Sequence, residues 1–116
     1  MSTNAYIQVE GTDIILYKHW DGYPSATLPW LLAFHHKFLE ERGQDENYEA
    51  AQLVRSSVLM AEEFDLDTST VTGWGLSTGK ITGEDKYEYL LCQNGTIKTN
   101  GSVYKYGEEI CYSDME

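Results

Sequence analysis

Apolar positions along this chain alternate, then stride, then alternate again. Tyr6-Ile7-Gln8-Val9-Glu10 has partial alternation, Gly11-Thr12-Asp13 reads as a turn, and Ile14-Ile15-Leu16-Tyr17 is a second apolar run. Together these predict a β-hairpin. From Leu28 the period changes. Trp30, Phe34 and Phe38 recur at i, i+4 and i+8, with Leu28, Leu31, Leu32, His35 and Leu39 beside them. The stripe predicts a helix over 28–41, capped by Ser25 or Thr27, with Pro29 in its first turn and Gly43 at its end. A second helix is predicted over 48–64. Asn47 is its cap, and Ala50, Ala51, Val54, Val58 and Ala61 form its packing face, flanked by Leu53, Met60 and Phe64.

Residues 65–70 read as a loop. Val71 to Ile81, with three glycines around Trp74, reads as a short twisted strand or an irregular loop. From Lys86 alternation returns: Tyr87, Tyr89 and Leu91 oppose Glu88, Leu90 and Cys92. Asn94-Gly95 then marks a tight hairpin, Ile97-Lys98-Thr99 a strand, and Asn100-Gly101 a turn into a last strand over 102–106. Ile110, Cys111 and Tyr112 supply packing groups in an acidic tail. The expected fold is α+β: an antiparallel sheet of four to six strands with a pair of helices on one face, in the order ββααβββ. Nothing in the 116 residues marks a linker or a repeat, so one domain is predicted.

Charge narrows the function classes. Nineteen acidic residues against eight basic ones give a net charge of −11. Such a field repels phosphate backbones, disfavours direct binding of nucleic acid and attracts a protein partner with a basic surface. No apolar run reaches the roughly 20 residues of a membrane span. The N-terminal residues carry no basic region or signal-type core, which predicts a cytoplasmic protein. Cys92 and Cys111 are too few for a disulfide framework.

Candidate chemistry is sparse. Gly73 to Lys80 imitates a phosphate loop, but Trp74 stands where its first glycine belongs and Ile81 where Ser or Thr must follow the lysine. His35 and His36 diverge on a helix, so with His19 they make a poor metal set. Cys92 in an apolar strand reads as an inert thiol. Glu62-Glu63, Asp65 with Asp67, and Glu84-Asp85 read as solvated charge. The expectation is therefore no catalytic residue, no metal and no cofactor.

The exception is Tyr17-Lys18-His19-Trp20-Asp21-Gly22-Tyr23-Pro24, where three aromatics, a histidine and an aspartate crowd a strand-to-helix turn. Two readings stand. Trp20 and Tyr23 close the end of the core, or they form a recognition surface. The candidate binding residues are His19, Trp20, Asp21, Tyr23 and Trp74. The motif, from Ile14 to about Leu39, resembles a group of small proteins of bacteria, archaea and their phages, with Tyr87 to Ile97 as weaker support. The resemblance carries no activity. It implies a phage, prophage or mobile-element protein, and with the charge it suggests one that binds and inhibits a host nucleic-acid-acting or defence enzyme. The alternative is a nucleotide-like small molecule stacked by Trp20, Tyr23 and Trp74. A homodimer is compatible with either.

Overall fold

The computed structural model describes residues 3–63, 73–79 and 87–112, the side chains of 58–63 excepted. The elements are β1 (Ala5–Val9), β2 (Ile14–Lys18), α1 (Pro24–Arg42), α2 (Glu46–Glu63), β3 (Trp74–Thr78), β4 (Tyr87–Leu91), β5 (Thr96–Thr99) and β6 (Ser102–Lys105). They form the expected α+β fold, with β3 as one strand more. The six strands lie in the order β3-β2-β1-β4-β5-β6. Every neighbouring pair is antiparallel except β1 and β4 at the centre, which run parallel. The hairpin partner β2 occupies one side of β1 and β3 extends the sheet beyond it. β4 therefore takes the other side of β1. The loop expected over 65–70, with Asp65 and Asp67, and the residues Phe64, Lys80, Ile81, Glu84, Asp85 and Lys86 lie outside the described residues.

Pairing places Ile7 opposite both Leu16 and Tyr89, so side chains sort onto two faces with period two. One face carries Ala5, Ile7, Val9, Leu16, Tyr87, Tyr89, Leu91 and Ile97. With Leu28, Leu31 and Leu32 of α1 and Ala50 and Leu53 of α2 they make the core. Ile110 and Tyr112 of the tail pack against its edge, and burial pushes the Tyr112 hydroxyl pKa upward.

The helices differ from expectation in start and facing. α1 begins at Pro24 rather than near 28, and its N-cap Tyr23 offers no side-chain bond. Thr27 donates instead to the Asp21 carbonyl at 2.8 Å. Pro29 consequently sits in the second turn, on the exposed side. α2 starts two residues earlier than expected because Asp45, not Asn47, is the cap: its Oδ1 accepts from the Tyr48 amide at 3.3 Å. Asp45 Oδ2 also accepts from Arg42 Nε at 3.2 Å, which ties the last turn of α1 to the first of α2. Among the described side chains of α2, those buried are Glu49, Ala50, Leu53 and Ser57, while Ala51 is exposed. The packing face is rotated from the alanine stripe because two polar residues belong to it.

The two Asn-Gly pairs make different turns. Asn100 and Gly101 both have positive φ, 48° and 85°, and join Thr99 to Ser102 directly. This is the two-residue primed turn that matches strand twist. At Asn94-Gly95 only Gly95 is left-handed, with φ 91°. Its amide donates to the Cys92 carbonyl at 3.0 Å, and Cys92 N donates to Thr96 O at 2.9 Å, so the loop has three residues. Asn94 Oδ1 accepts from the amide and hydroxyl of Thr96 at 3.2 and 2.6 Å, a local bonding that closes the turn without the positive φ that Asn100 takes.

One polar cluster lies deep in the core. His35 of α1 is 1% exposed and Glu49 of α2 is 0% exposed. His35 Nδ1 and Glu49 Oε2 are 2.5 Å apart, and His35 Nε2 lies 2.7 Å from the Cys92 carbonyl. The carbonyl only accepts, so Nε2 carries a hydrogen, and one further proton is shared along the Nδ1–Oε2 line. Both ring nitrogens are thereby committed, and the histidine clamps two helices and the β4–β5 turn together. Glu49→Ala should remove about 3–5 kcal/mol of stability by leaving the ring unpaired in the core. In Glu49→Gln the amide donates to Nδ1 of a neutral ring, so the loss should fall to about 1–2 kcal/mol. Urea unfolding of both variants measures the difference, and equal losses would contradict the clamp.

Candidate functional site

The sequence motif falls where β2 leaves the sheet. Strand alternation turns Lys18 toward the helices and Tyr17 away from them. Lys18 is 2% exposed, and its ammonium donates to the carbonyls of Trp20 and Asp21 at 2.7 and 2.9 Å. The Asp21 carbonyl also takes the Thr27 hydroxyl, and Asp21 itself holds a left-handed φ of 53°. Burial lowers the Lys18 pKa from 10.5 to about 8, against an opposing pull from the Asp21 carboxylate. Trp74, opposite Lys18 in the β2–β3 pairing, lies 5.8 Å from the ammonium. Trp30 meets Trp74 edge-on at 6.2 Å and donates to Ser56 Oγ at 3.2 Å.

Gly22 completes the corner by close approach. A Cβ there would lie 2.6 Å from the Asn4 carbonyl carbon and 2.8 Å from Ala5 Cβ. The Gly22 amide donates to Thr3 O at 2.8 Å, and its carbonyl accepts the buried Tyr89 hydroxyl at 2.7 Å. The corner is thus held by Lys18, Gly22, Thr27 and Tyr89, which sequence reasoning did not single out as its anchors. The one legible signal was a lysine between two ring-bearing residues, Tyr17 and His19, at a strand end.

The side chains of the motif do something else. On the sheet face away from the helices, Tyr6, Tyr17, His19 and Trp20 form a row with successive ring centroids 5.1, 5.7 and 4.5 Å apart. The Tyr17 hydroxyl and His19 Nδ1 are 2.5 Å apart, and the His19 amide donates to Gly73 O at 2.9 Å. Trp20 ends the row and is 50% exposed. It does not seal the core, which corrects the reading of Trp20 as a buried corner post. Tyr23, by contrast, is partly buried against the core, and Asp21 is half-buried.

The five candidate residues therefore divide. His19 and Trp20 share one surface, while Trp74 lies against Trp30 and Lys18 on the helix side. Trp20 and Trp74 belong to separate aromatic groups, so the structure does not bring them together as the walls of one stacking slot.

Other candidates have structural roles. His35 is spent on Glu49 and Cys92. Cys92 follows β4 instead of lying inside it, is half-buried, and has its thiol pKa raised by burial and then by Glu10; a protonated thiol is a poor nucleophile. Among the described residues no group of three His, Cys, Asp or Glu side chains is arranged to hold a metal, and no helix is long and apolar enough to cross a membrane. In comparisons with known proteins, no family model, no curated protein and no solved structure matches this chain.

Lys18→Met should destabilise the fold by about 2–3 kcal/mol, because carbonyls bonded to a charged donor lose it. The pH dependence has a definite sign. With a folded pKa of about 8, below its unfolded value, Lys18 binds more protons when unfolded, so its contribution to stability rises with pH above about 8 and is flat below. The parent should therefore gain on Lys18→Met between pH 8 and pH 10 in paired denaturation curves. A gap that narrows there would contradict the burial of the amine.

Proposed function

We propose that this protein is a protein-binding module, an adaptor or inhibitor, whose contact surface centres on Trp20 with His19 beside it. One observation carries the reading. The Trp20 indole is half exposed at a corner whose backbone is already held by Lys18, Gly22, Thr27 and Tyr89. A large ring that the fold does not bury is the residue type that dominates protein interfaces.

The net charge of −11 supports a partner with a basic surface. A nucleic-acid-acting or defence enzyme, of the kind a phage or mobile-element protein inhibits, offers such a surface. The nucleotide-like alternative at this corner has less support, because Trp20 and Trp74 stand in separate groups.

The test compares variants. Trp20→Ala should change stability by only about 1 kcal/mol, measured by urea unfolding. It should weaken capture of the native partner at least about tenfold, quantified against the parent and against Lys98→Ala, an exposed change on β5 at the other side of the sheet. The association rate should fall as salt rises, since exposed charges steer encounter and are screened over about 8–10 Å at physiological salt. Equal capture by parent and Trp20→Ala would make the corner purely structural.

A further inference from the structure

A second surface lies between the helices. A groove of about 470 Å³ is lined by one stripe of α1 and one of α2, a volume within the range of small-molecule sites. Its apolar part is aromatic. Phe34, Phe38 and Tyr48 follow one another with ring centroids 6.3 and 6.1 Å apart. Its polar part is cationic: Lys37, Arg42 and Arg55 line the groove against the single acid Glu41. The chain has only two arginines, and both are here.

Three cations, set against Glu41 in the lining and the Asp45 that pairs with Arg42, leave this groove net positive in a protein of net charge −11. Surface cations placed for solubility would be scattered among the acids, whereas these three converge on one aromatic trough. Arg42 is set in position. Its guanidinium carbon lies 3.7 Å from the Tyr48 ring centroid, and its Nε is held by Asp45. A planar fork oriented this way recognises phosphate or carboxylate oxygens in a bidentate manner. Lys37 and Arg55 make no hydrogen bond or ion pair with another described residue, so their charges are available to an anion.

We propose that this groove binds a small aromatic phosphate, of the size and chemistry of a nucleoside monophosphate. Its ring lies along Phe34, over the buried Phe38 and beside the Tyr48 that Arg42 covers, and its phosphate is held by Arg55, Arg42 and Lys37. The site is separate from the Trp20 corner. The phosphate offers the fixed charge the guanidinium fork matches, and the ring offers the flat surface the trough matches. Neither half alone uses both features.

The experiment is an NMR titration of the ¹⁵N-labelled protein with the monophosphates of adenosine, guanosine, cytidine and uridine, with the free nucleosides and inorganic phosphate in parallel. At least one monophosphate should bind with a Kd below about 1 mM, and its nucleoside and phosphate alone should bind at least about tenfold more weakly. Shift changes should cluster on residues 34–42 and 48–56. Arg55→Gln, an exposed change, should weaken binding about tenfold while leaving the rest of the spectrum in place. Trp20→Ala should bind like the parent, which keeps this result distinct from that of the partner surface. The proposal is overturned by no binding across the panel, by shifts that map elsewhere, or by an Arg55→Gln protein that binds as tightly as the parent.

Discussion

The shared proton between Glu49 and His35 is the contact on which the arrangement of layers depends. Leucine and alanine contacts between α1, α2 and the sheet are non-directional, and they favour burial without choosing one helix register over its neighbour. A buried carboxylate does choose. Sliding α2 by a turn would strand Glu49 and the His35 ring in apolar surroundings, at a cost of several kcal/mol. Because Nε2 also reaches the Cys92 carbonyl, the same ring sets how α1 sits on the β4–β5 turn. Asp45 supports this from nearby, since it caps the helix whose first turn carries Glu49. A carboxylate is favoured there by the unpaired amides of the helix start.

Lys18 repeats the device at the other end of the sheet. It too is a polar side chain turned inward, and it gathers two backbone carbonyls that would otherwise need water or a regular ladder. Tyr89 and Thr27 do the same for Gly22 and Asp21. The strand-to-helix corner is therefore determined from inside. That has a consequence for the residues on its outside. His19 and Trp20 are placed with good definition by a backbone they do not themselves hold, which is how a scaffold presents a recognition group.

Elements with strong local signals were legible in the sequence. Alternation at Tyr87, Tyr89 and Leu91 and the period of α1 both led to the right elements, because local pattern and tertiary burial agree there. The misreadings came where a polar residue does a core residue's work. Glu49 and Ser57 look like solvent-facing positions of α2, so the expected face of Ala50, Ala51, Val54, Val58 and Ala61 left them out; of its described members Ala50 and Val54 do pack on the core and Ala51 does not. Lys18 looks like a surface lysine. Asn47 has the right chemistry for a cap, but Asp45 has both the chemistry and the place, opposite Arg42. Trp20 was legible as unusual, with burial and exposure standing as two readings, since a tryptophan's identity says nothing about which side of a strand end it leaves from. The α1–α2 groove was hidden because Lys37, Arg42 and Arg55 are spread over 19 positions and converge only once the helices pair.

The two proposed surfaces share α1, which raises the question of whether they are coupled. α1 starts at the Trp20 corner and runs 19 residues to Arg42, about 28 Å at 1.5 Å per residue. The groove begins at Phe34, in its second half. Coupling over that distance needs an element with two discrete arrangements that both sites bias. α1 is poorly suited to be one. Its first half is fixed through Thr27, its middle by His35 between Glu49 and Cys92, and its end by Arg42 on Asp45. Moving it as a rigid body would break all three anchors together, including a buried pair, while a ligand in an open groove gains only a few kcal/mol. The geometry therefore favours independence of the two proposed surfaces, joined only through one rigid helix, with occupancy of the groove leaving the affinity of the Trp20 corner unchanged.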